Sequence, residues 1–357
     1  MADRFGMAFG AARTRTAFLV FVLTVLAALG ASTAASAQSA VADFYKDKNV
    51  EIYVGYGPGG GYDLSARALS RYIGKYIPGN PKIIVRNMPG AGSIVAANHV
   101  NNVAPKDGTV IGVYADFLPI VKLLNLEGIQ FDPTQLGWLG AITQRETPTL
   151  GVRADAPATT LEGIKKTEIT VGSDGTGATS AYAFMLNDLV GTKLKVLTGY
   201  TGTSQIDLAL ERGEVHGRAT IDWQRTRTKT DWLKRGLIKP VVSFALAPGD
   251  DPDLKDVPLI INLAKTEADK QVMELVLGTN RFFRAFSTAP GVPPERLAAL
   301  REAFAKTMKD PDFAQEFTKA TTSEVNFSEP QKIQDFMARV SKFPPEVIKR
   351  AAKYASP

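Results

Sequence analysis

Short apolar runs alternate along the chain with glycine-rich loops and stretches of helical period. Val50 to Val54 is a strand-like run that enters Gly55, Tyr56, Gly57, Pro58, Gly59, Gly60 and Gly61, after which the apolar positions become Leu69, Tyr72, Ile73, Tyr76 and Ile77. That spacing of i, i+3, i+4, i+7 and i+8 is one buried helix face. Asp63 complements the positive start of this helix, and Pro78 with Gly79 stops it. A second strand at Ile83 to Val85 leads into the loop Asn87, Met88, Pro89, Gly90, Ala91, Gly92 and Ser93. A helix to about Asn102 and a third strand at Val110 to Tyr114 follow.

The unit recurs in different spelling. Ile169 to Val171 enters Gly172 to Gly177 and a helix over Ser180 to Leu189, and Lys195 to Leu197 enters Gly199 to Ser204. Ser204 is the expected N-cap of a helix running to Glu211. Strand, loop, helix and strand in sequence predict parallel sheets with right-handed crossovers, and two such pairs predict an α/β protein with two lobes. The turn-rich stretch around Pro133, Gly137, Pro148 and Pro157 suits a crossing between lobes, and Phe282 to Ser287 is the expected second crossing. The expected division is residues 1–37 as a signal peptide, 38–148 with 283–357 as lobe 1, and 149–282 as lobe 2. Helices are expected over Arg296 to Met308, opened by Pro293 and Pro294, and near Pro345 to Tyr354.

The beginning of the chain follows a different logic. Arg4, Arg13 and Arg15 precede an apolar run of 13 residues from Ala17 to Leu29, and the small residues Ala35, Ser36 and Ala37 close the segment. This is the pattern of an export signal with cleavage after Ala37, and the run is short of the roughly 20 residues that span a bilayer. A periplasmic or extracellular location is expected. The 357 residues contain no Cys, which excludes disulfide scaffolds, thiolate zinc sites and lipid anchoring through a cysteine. A net charge of +6, interspersed with acids and without basic blocks, gives no footprint for nucleic acid.

Catalytic chemistry finds little to work with. His99 and His216 are the two histidines, and no HExxH or similar spacing supplies a metal site. There is no G-x-S-x-G for a serine nucleophile, and no acid pair stands out for glycoside cleavage. Gly55, Gly57 and Gly60 match G-x-G-x-x-G, but the second strand ends in Arg86 and Asn87 where an acid should bind a ribose, and no G-K-[ST] follows. No cofactor, no metal and no enzymatic activity are therefore expected.

What the loops can do is hold an anion on the main chain, because glycine admits close approach and the N–H groups at a helix start carry partial positive charge. The alternative is that these glycines serve only tight turns. On the binding reading a carboxylate meets Gly59, Gly60, Gly61, Gly90, Ala91 and Gly92, while the other end of the ligand meets Gly172 to Gly177 and Gly199 to Thr203. The full candidate set is Tyr56, Gly59, Gly60, Gly61, Tyr62, Asp63, Gly90, Ala91, Gly92, Ser93, Ser173, Gly175, Thr176, Gly177, Tyr200, Thr201, Gly202, Thr203 and Asp222. Side chains such as Tyr56, Ser173, Thr176, Tyr200 and Thr203 would select among acids.

The stretches VGYGPGGGYDLSARAL, IIVRNMPGAGSIVAANHV and APKDGTVIGV resemble the Bug family of extracytoplasmic solute receptors, the binding proteins of tripartite tricarboxylate transporters. Similarity continues through VGSDGTGATSAYAFML, LTGYTGTSQIDLALERGEV and STAPGVPPERLAALREAFAKTMKDPDF. The resemblance implies a type II periplasmic-binding-protein fold, with two lobes and two crossings closing on a carboxylate, and a monomer that serves integral-membrane transporter subunits. Where relatives carry an acid after the Gly-Glu/Gln-Val turn, this chain has His216, Gly217 and Arg218. The segment from Trp223 to Arg235 is basic and aromatic; it is either a solvated helix face or brings Trp223 or Arg225 to the ligand. Asp222 caps that helix or lines the cleft, and Arg86 adds charge to the site or pairs on the surface. A signalling receptor and an exported hydrolase are the rival functions.

Overall fold

The computed structural model describes residues 39–144, 148–173, 177–200, 203–223, 226–227, 230–249, 251–321 and 323–354. The proposed signal segment 1–37 lies outside them. Among the described residues, ten strands form two five-stranded sheets, with helices packed against both.

The first sheet has the order β2-β1-β3-β10-β4, with β1 at Asn49–Val54, β2 at Lys82–Asn87, β3 at Val110–Val113, β4 at Gly137–Thr143 and β10 at Phe283–Thr288. β1 is parallel to β2 and β3, whereas β10 is antiparallel to β3 and β4. Val50, Ile52 and Val54 alternate with Glu51 and Tyr53, so one face of β1 is fully buried. Against that face lie α1 (Gly61–Tyr72), α7 (Pro294–Met308) and α8 (Pro311–Thr321), whose Leu69, Leu300, Phe304, Phe313 and Phe317 join Phe286 in one core. The predicted helix face is observed, but its last turn tightens to 3₁₀ geometry over Ile73–Tyr76. α2 (Ile94–Asn102) covers the opposite face of the sheet with Ala96, Ala97 and Val100.

The second sheet has the order β7-β6-β8-β5-β9, with β5 at Pro148–Arg153, β6 at Ile169–Gly172, β7 at Leu194–Leu197, β8 at Gly217–Asp222 and β9 at Ile238–Ser243. β6 is parallel to β7 and β8. Its helices are α3 (Leu161–Lys166), α4 (Gly177–Met185), which widens into a π turn at Leu186–Val190, and α5 (Thr203–Arg212). Ser204 therefore lies within α5 and does not cap it: the helix begins one residue earlier. α6 (Glu267–Leu277), α9 (Pro330–Val340) and α10 (Pro345–Ala352) complete the chain. α10 rests on α6, where Arg350 pairs with Asp269, and the Tyr354 hydroxyl donates to Asp188 at 2.9 Å.

Phe282 to Ser287, expected as the second crossing, falls almost wholly within β10 of the first sheet, so the return connection precedes that strand. The forward connection runs between Thr143 of β4 and Pro148 of β5. Trp223 and Trp232 do not lie on a solvated helix: both are almost fully buried, packed with Leu210, Val215 and Ile221. Their indole N–H groups donate to Asp253 at 3.2 Å and Glu211 at 2.7 Å, which accounts for their burial.

Candidate functional site

Strand register fixes which ends of the two sheets are joined. Val54 stands beside Asn87 and Val113, so the loops after β1 and β2 leave from one end of the first sheet. β10 runs the other way, pairing Phe286 with Val113, which carries Phe283 and its partner Thr143 to that same end. In the second sheet Gly172 stands beside Leu197, and β8 runs on past them to Asp222, which pairs with Pro148. Both glycine-loop pairs thus lie on the sides where the sheets are connected, as ligand loops do at the carboxyl ends of parallel strands.

The first loop is pinned from below. Asp63, only 1% exposed, accepts from the Gly59 amide at 2.8 Å and from Arg67 Nε at 2.8 Å through one oxygen, and from Asn87 Nδ2 at 2.8 Å through the other. Asn87 also donates to the Tyr56 carbonyl at 3.0 Å, and Arg67 donates to Asn87 Oδ1 at 3.1 Å. Burial alone would raise the Asp63 pKa, but the bonds from Arg67, Gly59 and Asn87 outweigh it and hold the carboxyl below its ordinary value. This carboxylate and the Gly59 amide, both expected at the ligand, face each other instead. The Gly60 cap carries no side chain, and the first intrahelical bond runs from Leu64 N to Gly60 O at 2.9 Å. The amide of Gly61 precedes it, so it has no acceptor within the helix.

The second loop has an unusual backbone. Gly90, Ala91, Gly92 and Ser93 all have positive φ, with Ala91 at 45° and Ser93 at 75°. Such non-glycine geometry costs on the order of 1 kcal/mol each. Gly90 and Ala91 are exposed, and the first turn of α2 contains no acid and no side-chain cap. Ser93 is buried, and its hydroxyl accepts from the Ala115 amide at 2.8 Å, so it holds the loop to the end of β3.

Tyr56 and Tyr62 are half-buried and stack at 4.5 Å with 16° between ring planes; Tyr62 meets Phe283 edge-on at 5.5 Å. Arg284, buried and with φ 64°, lies over the Phe283 ring at 4.8 Å. A Cβ on Gly61 would stand 3.2 Å from its Nη2, so this cation backs the start of α1.

In the second lobe, the Ser173 hydroxyl is buried against Thr179 at 2.9 Å and Ser180 at 2.5 Å. Tyr200 and Thr203 are half-buried at the mouth of β7, and Gly177 opens α4. Gly175, Thr176, Thr201, Gly202 and Arg225 lie outside the described residues. Arg218, where an acid was expected from the resemblance, is buried and bonds Asp207 together with the carbonyls of Thr203 and Thr220. It anchors α5 from beneath. Asp222 is half-buried at the end of β8, and its carbonyl accepts from Thr226 Oγ1 at 2.8 Å.

The remaining residues singled out from sequence take structural positions. Arg86 pairs with Glu51 at 2.7 Å on the surface. His216 Nδ1 lies 3.0 Å from the Thr170 amide, and His99 packs on Tyr53 at 4.9 Å. Among the described residues, no group of three His, Asp or Glu side chains is placed to hold a metal ion. No described helix is long and apolar enough to cross a membrane. Arg284 and the Asp63 clasp were not read from sequence; Arg67 at i+4 from Asp63 was the one local hint of the clasp.

No family model matches the chain. A UPF0065 protein in the gbd 5' region of Cupriavidus necator is 32% identical over 102 residues, which span 29% of this chain and 30% of that relative. A TctC solute-binding protein from Polaromonas superposes with a TM-score of 0.63 at 21% identity, over 86% of this chain and 99% of its own. The periplasmic binding protein BugD gives 0.58 at 20% identity, over 87% and 99%. MatC from Rhodopseudomonas palustris, solved with bound malate, gives 0.54 at 20% identity, over 86% and 99%. The likeness bears out the resemblance carried by the loop sequences: this chain has the two-lobed α/β fold of the TctC and Bug solute-binding proteins.

Proposed function

We propose that this protein is a periplasmic receptor that captures a small carboxylate, a di- or tricarboxylate or an aromatic acid, for a tripartite tricarboxylate-type transporter. The observation that carries the reading is the second loop: four successive positive-φ residues, of which Gly90 and Ala91 are exposed, stand beside a helix start without a side-chain cap. The Gly60–Tyr62 end of α1 supplies further donors from the neighbouring turn. Hydrogen bonds to a charged acceptor contribute about 1.5–3 kcal/mol each, and helix N-termini add about 0.3–1 kcal/mol. In this reading Gly60, Gly61, Tyr62, Gly90, Ala91 and Gly92 grip the carboxylate, and Asp63 and Ser93 keep the two loops in shape. Tyr200, Thr203 and the loops after β6 and β7 take the other end.

Lobes 38–148 with 283–357 and 149–282 would close around the ligand, shifting a pre-existing open-to-closed equilibrium. The MatC structure with malate supports an acid as the class of ligand. Residues 1–37 would direct export with cleavage after Ala37, and the mature monomer would deliver its cargo to integral-membrane subunits without covalent chemistry. Calorimetry of the mature chain against mono-, di-, tri- and aromatic carboxylates tests the reading. Saturable binding of at least one acid, with no binding of its primary amide, is expected; silence across the panel would overturn it.

A further inference from the structure

We infer that residues 326–354 form a strap, laid from the first lobe across the return crossing onto the second, and that it limits how far the lobes move against each other. The inference goes beyond the receptor reading. It needs the two sheets and the chain that joins them, and no ligand.

One end is fixed to the first sheet. Ser328 bridges Ala141 of β4: its amide donates to the Ala141 carbonyl at 3.0 Å, and its carbonyl accepts from the Ala141 amide at 2.9 Å. The Asn326 amide donates to the Ile142 carbonyl at 2.9 Å. Gly140 makes room for this bridge, since a Cβ there would stand 2.6 Å from the Phe327 ring and 2.7 Å from the Ser328 carbonyl oxygen.

The segment then lies on Gly278–Phe282, the 3₁₀ turn by which the chain returns from α6 to β10. Ser328 Oγ donates to the Arg281 carbonyl at 2.9 Å. Phe336 of α9 meets Phe282 at 5.4 Å between ring centres and leaves no space for a Cβ on Gly278. The same turn is held from the second lobe, where the buried Tyr182 of α4 donates to Asn280 Oδ1 at 2.9 Å.

The far end is tied to elements that precede the return. Arg339 pairs with Glu274 and Arg350 with Asp269, both on α6. The Tyr354 hydroxyl donates to Asp188, in the π turn that ends α4, at 2.9 Å. A large rotation of one lobe against the other must bend the crossing and therefore stretch the strap between its two attachments. The near end is the firmer one: Ser328 is 1% exposed, whereas the Arg339 and Arg350 side chains are 46% and 37% exposed, so water weakens the far ion pairs. Wide movement thus releases the far end first.

Double electron–electron resonance on the mature chain without ligand tests the inference. The sequence contains no Cys, so nitroxides attach only at Val103→Cys, at the end of α2, and Leu208→Cys, on α5, both exposed and in different lobes. The chain with its strap intact is expected to give one main distance. Adding Tyr354→Phe and Arg350→Gln, which remove the far-end bonds and keep the side-chain bulk, should raise the share of pairs outside that main peak about tenfold. Circular dichroism checks that the variant folds; if it does not, Tyr354→Phe alone reads the same attachment and should shift the distribution in the same direction. A lower urea midpoint with an unchanged distance distribution would mean that the C-terminal helix only packs on α6, and would overturn the strap. Because no ligand is added, that result would leave the carboxylate reading to be decided by its own calorimetry.

Discussion

Gly55 and Ser93 touch so closely that a Cβ on the glycine would stand 2.1 Å from the Cβ of the serine and 2.9 Å from its Cα. The two glycine loops are therefore packed backbone to backbone at this point, with Ser93 fixed in a left-handed conformation by its bond to Ala115. Gly57, two residues on, has nothing within 4 Å of its own missing Cβ and no positive φ. Gly55→Ala is expected to cost about 3 kcal/mol, since the contact includes main chain that cannot swing aside. Gly57→Ala should be neutral or stabilising by up to about 1 kcal/mol. Urea denaturation of both variants measures this; similar midpoints for the two would show that the loops are not locked together.

The Asp63 clasp predicts a pH signature. Its carboxyl pKa is lower in the folded protein than in an unfolded chain, so its stabilisation is complete above the ordinary Asp value and is lost as pH falls through the folded one. Asp63→Asn keeps the shape but removes the charge-assisted bonds, at an expected cost of about 2 kcal/mol near neutrality. The difference in unfolding free energy between wild type and variant should stay constant from about pH 8 to 5 and shrink below about pH 4. A difference that does not vary with pH would mean that the carboxylate charge does not hold the loop.

Beneath the opposite loops, Arg218 bonds Asp207 and two carbonyls while almost fully buried. Arg218→Leu leaves Asp207, whose side chain is 30% exposed, without its partner. A loss of about 2–3 kcal/mol is expected, below the full buried-pair penalty because water reaches the acid. The double variant Arg218→Leu/Asp207→Leu should recover part of that loss. Chemical denaturation checks the cycle, and additive losses would contradict the coupling.

The strand, loop and helix units were legible because they are local. A period of two or 3.6 and a run of glycines are visible within about fifteen residues, and α2 ends at Asn102 as expected. Asp63 was read as a complement to the helix dipole because an acid in a first turn looks the same whether it faces solvent or clasps a loop. The distinction depends on Asn87, which register brings alongside from the next strand. Arg218 with Asp207, Ser93 with Ala115, and Tyr354 with Asp188 are likewise products of topology. Of the two readings of the stretch from Trp223 to Arg235, the solvated face fails for Trp223 and Trp232, because a basic, aromatic composition does not reveal which rings a neighbouring segment covers. Each indole is instead buried and donates to a carboxylate on another segment.

The account stands or falls on main-chain donors in the first lobe. Amide-resolved NMR of the isotope-labelled mature chain, titrated with the tightest-binding carboxylate, reads those donors one by one. The account predicts the largest downfield proton shifts at Gly60, Gly61, Gly90 and Ala91, with Gly59 nearly unmoved because Asp63 already holds it. Saturable binding that leaves all four of those amides unchanged, or that shifts only residues far from both glycine loops, would contradict it.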